Sequence, residues 1–109
     1  MKLDEFEDVL RNRLFLTEKT LGIKGEEYAH GDRLSNFKKA AILLDCTPER
    51  ALLGFVTKHM VALADFVNEL EGGRNRDISQ WVEKLQDIIC YMVLLEGIAV
   101  ERIQNEKKG

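Results

Sequence analysis

Trp81-Val82-Glu83-Lys84-Leu85-Gln86-Asp87-Ile88-Ile89-Cys90-Tyr91-Met92-Val93-Leu94-Leu95-Glu96 is the stretch whose reading decides the fold. Wound at about 100° per residue, it sets Ile78, Trp81, Leu85, Ile89, Met92, Ala99 and Ile103 along one stripe. Glu83, Asp87 and Tyr91 follow at i, i+4 steps on the other side, which then turns apolar at Leu94 and Ile98. A helix that is apolar nearly all round is buried nearly all round. In a chain of 109 residues that makes it the central helix of a bundle or a helix shared with a second subunit. The stripe through Leu85, Ile89 and Met92 is the expected core face, and Leu94 with Ile98 the expected subunit contact. Glu96 falls in line with the core stripe, so it is expected to be at least partly buried, with a raised pKa or a cationic partner.

Composition supports a single all-α domain over residues 1–109, with its core over about 4–104. Apolar residues are 45% and charged residues 32% of the chain, and Pro48 is the only proline, which suits a packed helical protein and argues against disorder. The formal charge of −3, with no basic run, gives no case for DNA, RNA or membrane binding. No run of apolar residues approaches the roughly 20 of a membrane span, and the acidic start Met1-Lys2-Leu3-Asp4-Glu5 is unlike a signal peptide. The chain therefore reads as cytoplasmic. Cys46 and Cys90 lack metal-ligand spacing and read as free thiols.

Outward from the deciding stretch, four main helices are expected. The first runs from about Asp4 to Leu21, with Asp4, Glu5, Glu7 and Asp8 favoured by the dipole at its start. Gly22 to Asp32, with three glycines, reads as a loop. The second helix runs from about Arg33 to Leu44, capped by Asp32, with Leu34, Phe37, Ala41 and Leu44 inward. Thr47-Pro48 opens the third, whose buried face is Leu52, Val56, His59, Leu63, Phe66, Val67 and Leu70. It closes at Gly72-Gly73, and Asp77 with Gln80 opens the fourth as a capping box.

On these helices Asp65 and Glu69 form one i, i+4 acid pair and Glu83 and Asp87 another. The short turn Gly72–Arg76 makes their helices antiparallel and brings the pairs level. Two readings stand side by side. The acids are the solvated faces of amphipathic helices, or they meet across one groove. In the second case mutual repulsion calls for a cation, and hard oxygen ligands suit Mg²⁺, or Mn²⁺, which in turn holds phosphate oxygens. Lys58, on the side of Asp65 and Glu69, is placed to neutralise phosphate charge, and Lys84 falls on a neighbouring face. His59 reads either as a neutral core histidine or as a site residue.

The ordered pattern Tyr28, Gly31-Asp32, Asn36-Phe37, Lys58, then an acid with Asp87 four residues on and Tyr91 four further, resembles small phage-encoded proteins of the MazG-like, all-alpha nucleotide pyrophosphohydrolase group. The resemblance covers about Tyr28 to Glu101. It implies a helical, dimeric or higher assembly in the host cytoplasm that binds Mg²⁺ through helix-borne acids and splits a nucleoside triphosphate into monophosphate and pyrophosphate. Glu83, Asp87 and Lys58 would serve catalysis. Asp65, Glu69, Glu83 and Asp87 would hold the metal, and Tyr28, Asp32, Asn36 and Tyr91 would line the nucleotide site. The chain departs from the family in two places: Glu83 and Asp87 stand one residue further apart than E-x-x-D, and Glu26-Glu27 is followed by His30 where E-E-x-x-E has an acid. A helical adaptor that binds a partner protein through its apolar surface is the alternative.

Overall fold

The computed structural model describes residues 1–27 and 31–109, and residues 23–27 by their backbone alone. The described residues form four helices and no strand: α1 (Leu3–Glu27), α2 (Ser35–Leu44), α3 (Pro48–Glu71) and α4 (Ile78–Lys108). They divide into two compact units, Met1–Arg33 and Leu34–Gly109.

The first unit is essentially α1. The sequence reading closes this helix at Leu21, yet it runs on to Glu27. A helix-interior glycine costs about 1 kcal/mol, and Gly22 and Gly25 alternate with residues such as Lys24, Glu26 and Glu27 that favour the helix. Asp4 accepts the Glu5 N–H at 2.9 Å, and Arg11 lies 3.7 Å from Glu7 one turn earlier. Leu3, Phe6, Leu10 and Leu14 are exposed.

In the second unit the punctuation of the sequence fixes the helix ends, with two adjustments. α2 begins at Ser35 rather than Arg33, with Leu34 in the cap position and no side-chain cap, so Asp32 stands too early to cap it. Its C-terminus is a Schellman turn: Cys46 N–H reaches Ala41 C=O at 2.9 Å, Asp45 N–H reaches Ile42 C=O at 3.3 Å, and Asp45 takes the left-handed conformation at φ 52°. Thr47 caps α3 by accepting the Arg50 N–H at 3.1 Å, with Pro48 opening the helix. A second Schellman turn closes α3, with Arg74 N–H on Glu69 C=O at 2.8 Å and Gly73 at φ 91°. Asp77 caps α4 through the Ser79 N–H at 3.1 Å and also accepts from the Ser79 hydroxyl.

α3 and α4 run antiparallel. From the turn outward, Phe66 meets Trp81 edge-on at 5.3 Å, His59 meets Tyr91 at 5.4 Å, and Arg102 donates to Glu49 at 2.7 Å. α2 lies along one side of this hairpin, with Phe37 edge-on to Phe55 at 5.9 Å and to Tyr91 at 6.4 Å, and Lys38 2.6 Å from Glu101. The core cluster is Leu34, Phe37, Leu52 and Ile98, with Tyr91, Leu94 and Leu95 packed against it.

The core cluster on α4 therefore centres on the side expected to meet a second subunit, while Trp81, Leu85 and Ile89 of the expected core stripe are half-buried. Ile98 is only 5% exposed and Leu94 is half-buried, whereas Met92, Ile78 and Ile103 face outward. Both stripes are apolar at helical spacing, and α2 settles the choice by packing against the Ile98 side. Glu96 goes with the outward stripe and is exposed, so it carries no interior charge. Val67, Leu70 and Leu44 are likewise exposed rather than buried. By length and composition α3 could cross a membrane, against the expectation that no segment approaches one, though a core helix satisfies the same criterion.

Candidate functional site

Near the α3–α4 turn the antiparallel register opens a cleft of about 310 Å³, lined by Ala62, Asp65 and Phe66 from α3, Arg76 from the turn, and Gln80, Glu83, Lys84 and Asp87 from α4. Three of the four acids singled out from the sequence thus share one groove. The fourth, Glu69, is engaged beside it by Arg76, whose Nε and Nη2 donate to its two carboxylate oxygens at 2.7 and 2.8 Å. These hydrogen bonds hold the Glu69 carboxyl below its ordinary value and raise the Arg76 guanidinium above its own. The guanidinium also lies 4.1 Å from the centre of the Phe66 ring, a cation–π contact that fixes it over the cleft floor.

Lys84 supplies the second cation. Its Nζ lies 3.1 Å from His59 Nδ1 and 3.9 Å from an Asp87 oxygen, and that oxygen is 3.7 Å from His59 Nδ1. An ammonium only donates, so Nδ1 accepts in this contact. His59 is half-buried, consistent with the core position read from its spacing, but it is tied to the charged cleft through Lys84. Lys58, expected to neutralise phosphate, is exposed on α3 and does not line the cleft. Lys84, read as lying on a neighbouring face, is the lysine that lines the cleft, because half a turn of helix separates the two sides of α4 and only the register against α3 says which is inward.

The acids do not form a prebuilt metal cage: among the described residues no three His, Cys, Asp or Glu side chains are grouped closely enough to hold a metal ion. Glu69 is committed to Arg76, and Asp87 lies beside Lys84 and His59, so the cation that like-charge crowding calls for comes in part from the protein itself.

Of the residues expected to line a nucleotide site, Asn36 and Tyr91 lie in the second unit. Tyr28 lies outside the described residues, and Asp32 belongs to the first unit. Asn36 is exposed on α2, and Tyr91 packs between Phe37 and His59; neither lines the cleft. The sequence reading missed Arg76 and Trp81 as site-forming groups. Arg76 stands seven residues from Glu69 across a tight turn, and the Trp81 indole donates to Asn75 at 3.0 Å, bracing that turn. Acid–Arg spacing across a Gly-Gly break was the available signal.

No protein-family model, no curated protein and no solved structure matches this chain. Its class is therefore defined by its own architecture: an all-α protein whose second unit carries an acidic cleft with two built-in cations.

Proposed function

We propose that the cleft binds the magnesium complex of a nucleoside triphosphate, as the MazG-like resemblance implies, in a cytoplasmic protein of phage or prophage origin. The observation that carries this reading is the convergence of Asp65, Glu83 and Asp87 on one groove with Arg76 and Lys84. The groove holds more acids than bases, and Arg76 is already neutralised by Glu69. A bare polyphosphate would be repelled, whereas one carrying Mg²⁺ would be attracted. Mg²⁺ commonly keeps several waters and takes one or two carboxylates plus substrate phosphates rather than a dedicated protein cage. A donor set without a tight cluster of acids is compatible with a metal that arrives on the nucleotide. Lys84, held by His59, would meet a phosphate oxygen, and Asp87 beside it would set the metal dependence. Mn²⁺ would serve in place of Mg²⁺ on the same grounds. With the family's acid signature incomplete, binding is the proposed activity, and pyrophosphate release is measured beside it.

Calorimetric titration with each nucleoside triphosphate tests the proposal. Binding is expected with Mg²⁺ and not with chelator, weakened at least about ten-fold by Asp87→Asn and by Lys84→Ala, a loss of about 1.4 kcal/mol. Lys58→Ala should leave it unchanged. No binding of any nucleoside triphosphate in the presence of Mg²⁺ would sink the reading. The adaptor alternative is favoured by a different observation, the exposure of Leu53, Met60 and Val67 on α3 and of Ile78, Met92 and Ile103 on α4. It predicts association with a protein and no nucleotide heat.

A further inference from the structure

From the α3–α4 turn outward the cleft changes character. Its α4 residues Gln80, Glu83, Lys84 and Asp87 follow at three- and four-residue steps, one stripe of a helix that rises about 10 Å from Gln80 to Asp87. The far end is charged, with Lys84 beside Asp87 at 3.9 Å. The end at the turn is flat. There the Arg76 guanidinium is fixed from two directions: Nε and Nη2 donate to the two Glu69 oxygens, and one face lies 4.1 Å from the centre of the Phe66 ring. Phe66 is itself buried and held edge-on by Trp81. A two-point guanidinium–carboxylate pair is close to planar, so Arg76 and Glu69 together make a plate wider than one aromatic ring. Phe66 takes one side of the plate at Arg76, whose side chain is still 36% exposed. Gln80, the α4 lining residue nearest the turn, brings an exposed amide to the same end.

We infer that the free side of this plate seats the base of a purine nucleotide, whose phosphates then run outward along α4 to Lys84 and Asp87. The inference rests on the nucleotide reading of the cleft and adds to it an orientation and a base class. Charge selects the orientation. Arg76 is balanced by Glu69, so the plate neither draws phosphate nor repels a neutral base, whereas Lys84 supplies a cation one helical turn beyond Gln80. Guanidinium planes stack on bases, and the cation is attracted to the π face above it. Area selects the purine: two fused rings cover the plate more fully than a single pyrimidine ring, and stacking strength sets preferences of this kind. The Gln80 amide carries a donor and an acceptor side by side, the complement of the adenine N6–H₂ and N7 pair. Because Glu69 and Phe66 already hold Arg76, the arriving base has no long side chain to order there.

Calorimetry on the full chain tests it with three magnesium complexes: adenosine triphosphate, uridine triphosphate, and tripolyphosphate, which has the phosphates and no base. The adenosine complex is expected to bind at least about five-fold more tightly than tripolyphosphate, the low end for one stacked base, and more tightly than the uridine complex. Arg76→Lys keeps a cation beside Glu69 but has no plane, and it should erase that margin. Gln80→Ala should cut the margin at least about two-fold, the least that one hydrogen bond contributes. Because the effect is a ratio between ligands, a general loss of binding does not imitate it, and should Arg76→Lys unfold the turn, Gln80→Ala decides alone. Equal binding of adenosine triphosphate and tripolyphosphate would overturn the inference and leave the phosphate site standing. No binding of either would remove the nucleotide reading and this inference with it. A margin that survives the substitutions, or a uridine complex as tight as the adenosine one, would also overturn it.

Discussion

Ile98→Ala is the substitution that most directly tests which face of α4 is inside. Ile98 is 5% exposed within a cluster formed with Leu34, Phe37 and Leu52, the last of these fully buried. Alanine removes three carbons, worth about 2.4 kcal/mol of transfer free energy at about 0.8 kcal/mol each. The cavity adds to this, because neighbours held on three helices collapse only in part, and a total near 3 kcal/mol follows. That is a large share of the roughly 5–15 kcal/mol that holds a domain folded. At about 4 °C or more per kcal/mol, the melting temperature should fall by about 12 °C or more. Val100→Ala, two residues on but exposed, should stay within about 0.5 kcal/mol of wild type. Urea unfolding followed by far-ultraviolet circular dichroism at two protein concentrations measures both and separates folding from association. An Ile98→Ala protein within 1 kcal/mol of wild type, or an equal cost at Val100, would refute the packing of α4 described above.

Two further outcomes follow from local geometry. Asp45 is a non-glycine residue at φ 52°, so Asp45→Gly should stabilise the protein by about 0.5–1 kcal/mol and Asp45→Ala should not, as read from the urea midpoint. Hydrogen bonds from Arg76 and Arg102 lower the pKa of Glu69 and Glu49 from an ordinary value of 4.5. A lowered folded-state pKa contributes stability that is fully present above the unfolded value and lost as pH falls through the folded one. The melting temperature should therefore drop below about pH 4.5, and Glu49→Gln/Glu69→Gln should flatten that acid limb while lowering stability at pH 7.

Local chemistry was legible in the sequence wherever a few adjacent residues decide an outcome. Thr47-Pro48 opened α3, Gly73 closed it and Asp77 opened α4 because caps and left-handed turns depend on one side chain and one backbone conformation. The all-helical class followed from periodicity, and the levelling of Asp65, Glu83 and Asp87 across one cleft followed from the brevity of the turn between their helices. Periodicity ran out where two faces were equally apolar. On α4 the stripes through Met92 and through Ile98 have the same spacing and similar side chains, and only the arrival of α2, through Leu34 and Phe37, made one of them the core and left Glu96 in water. The same limit applied to the cations of the cleft: Lys58 and Lys84 are both lysines near acids in sequence, and the rotation of α4 against α3 brought Lys84 to His59 and Asp87 while Lys58 stayed outside. A helix's pattern states which residues share a side, because that is set by its own winding; which side faces inward is set by the shape of the neighbour, and that is a property of the tertiary structure.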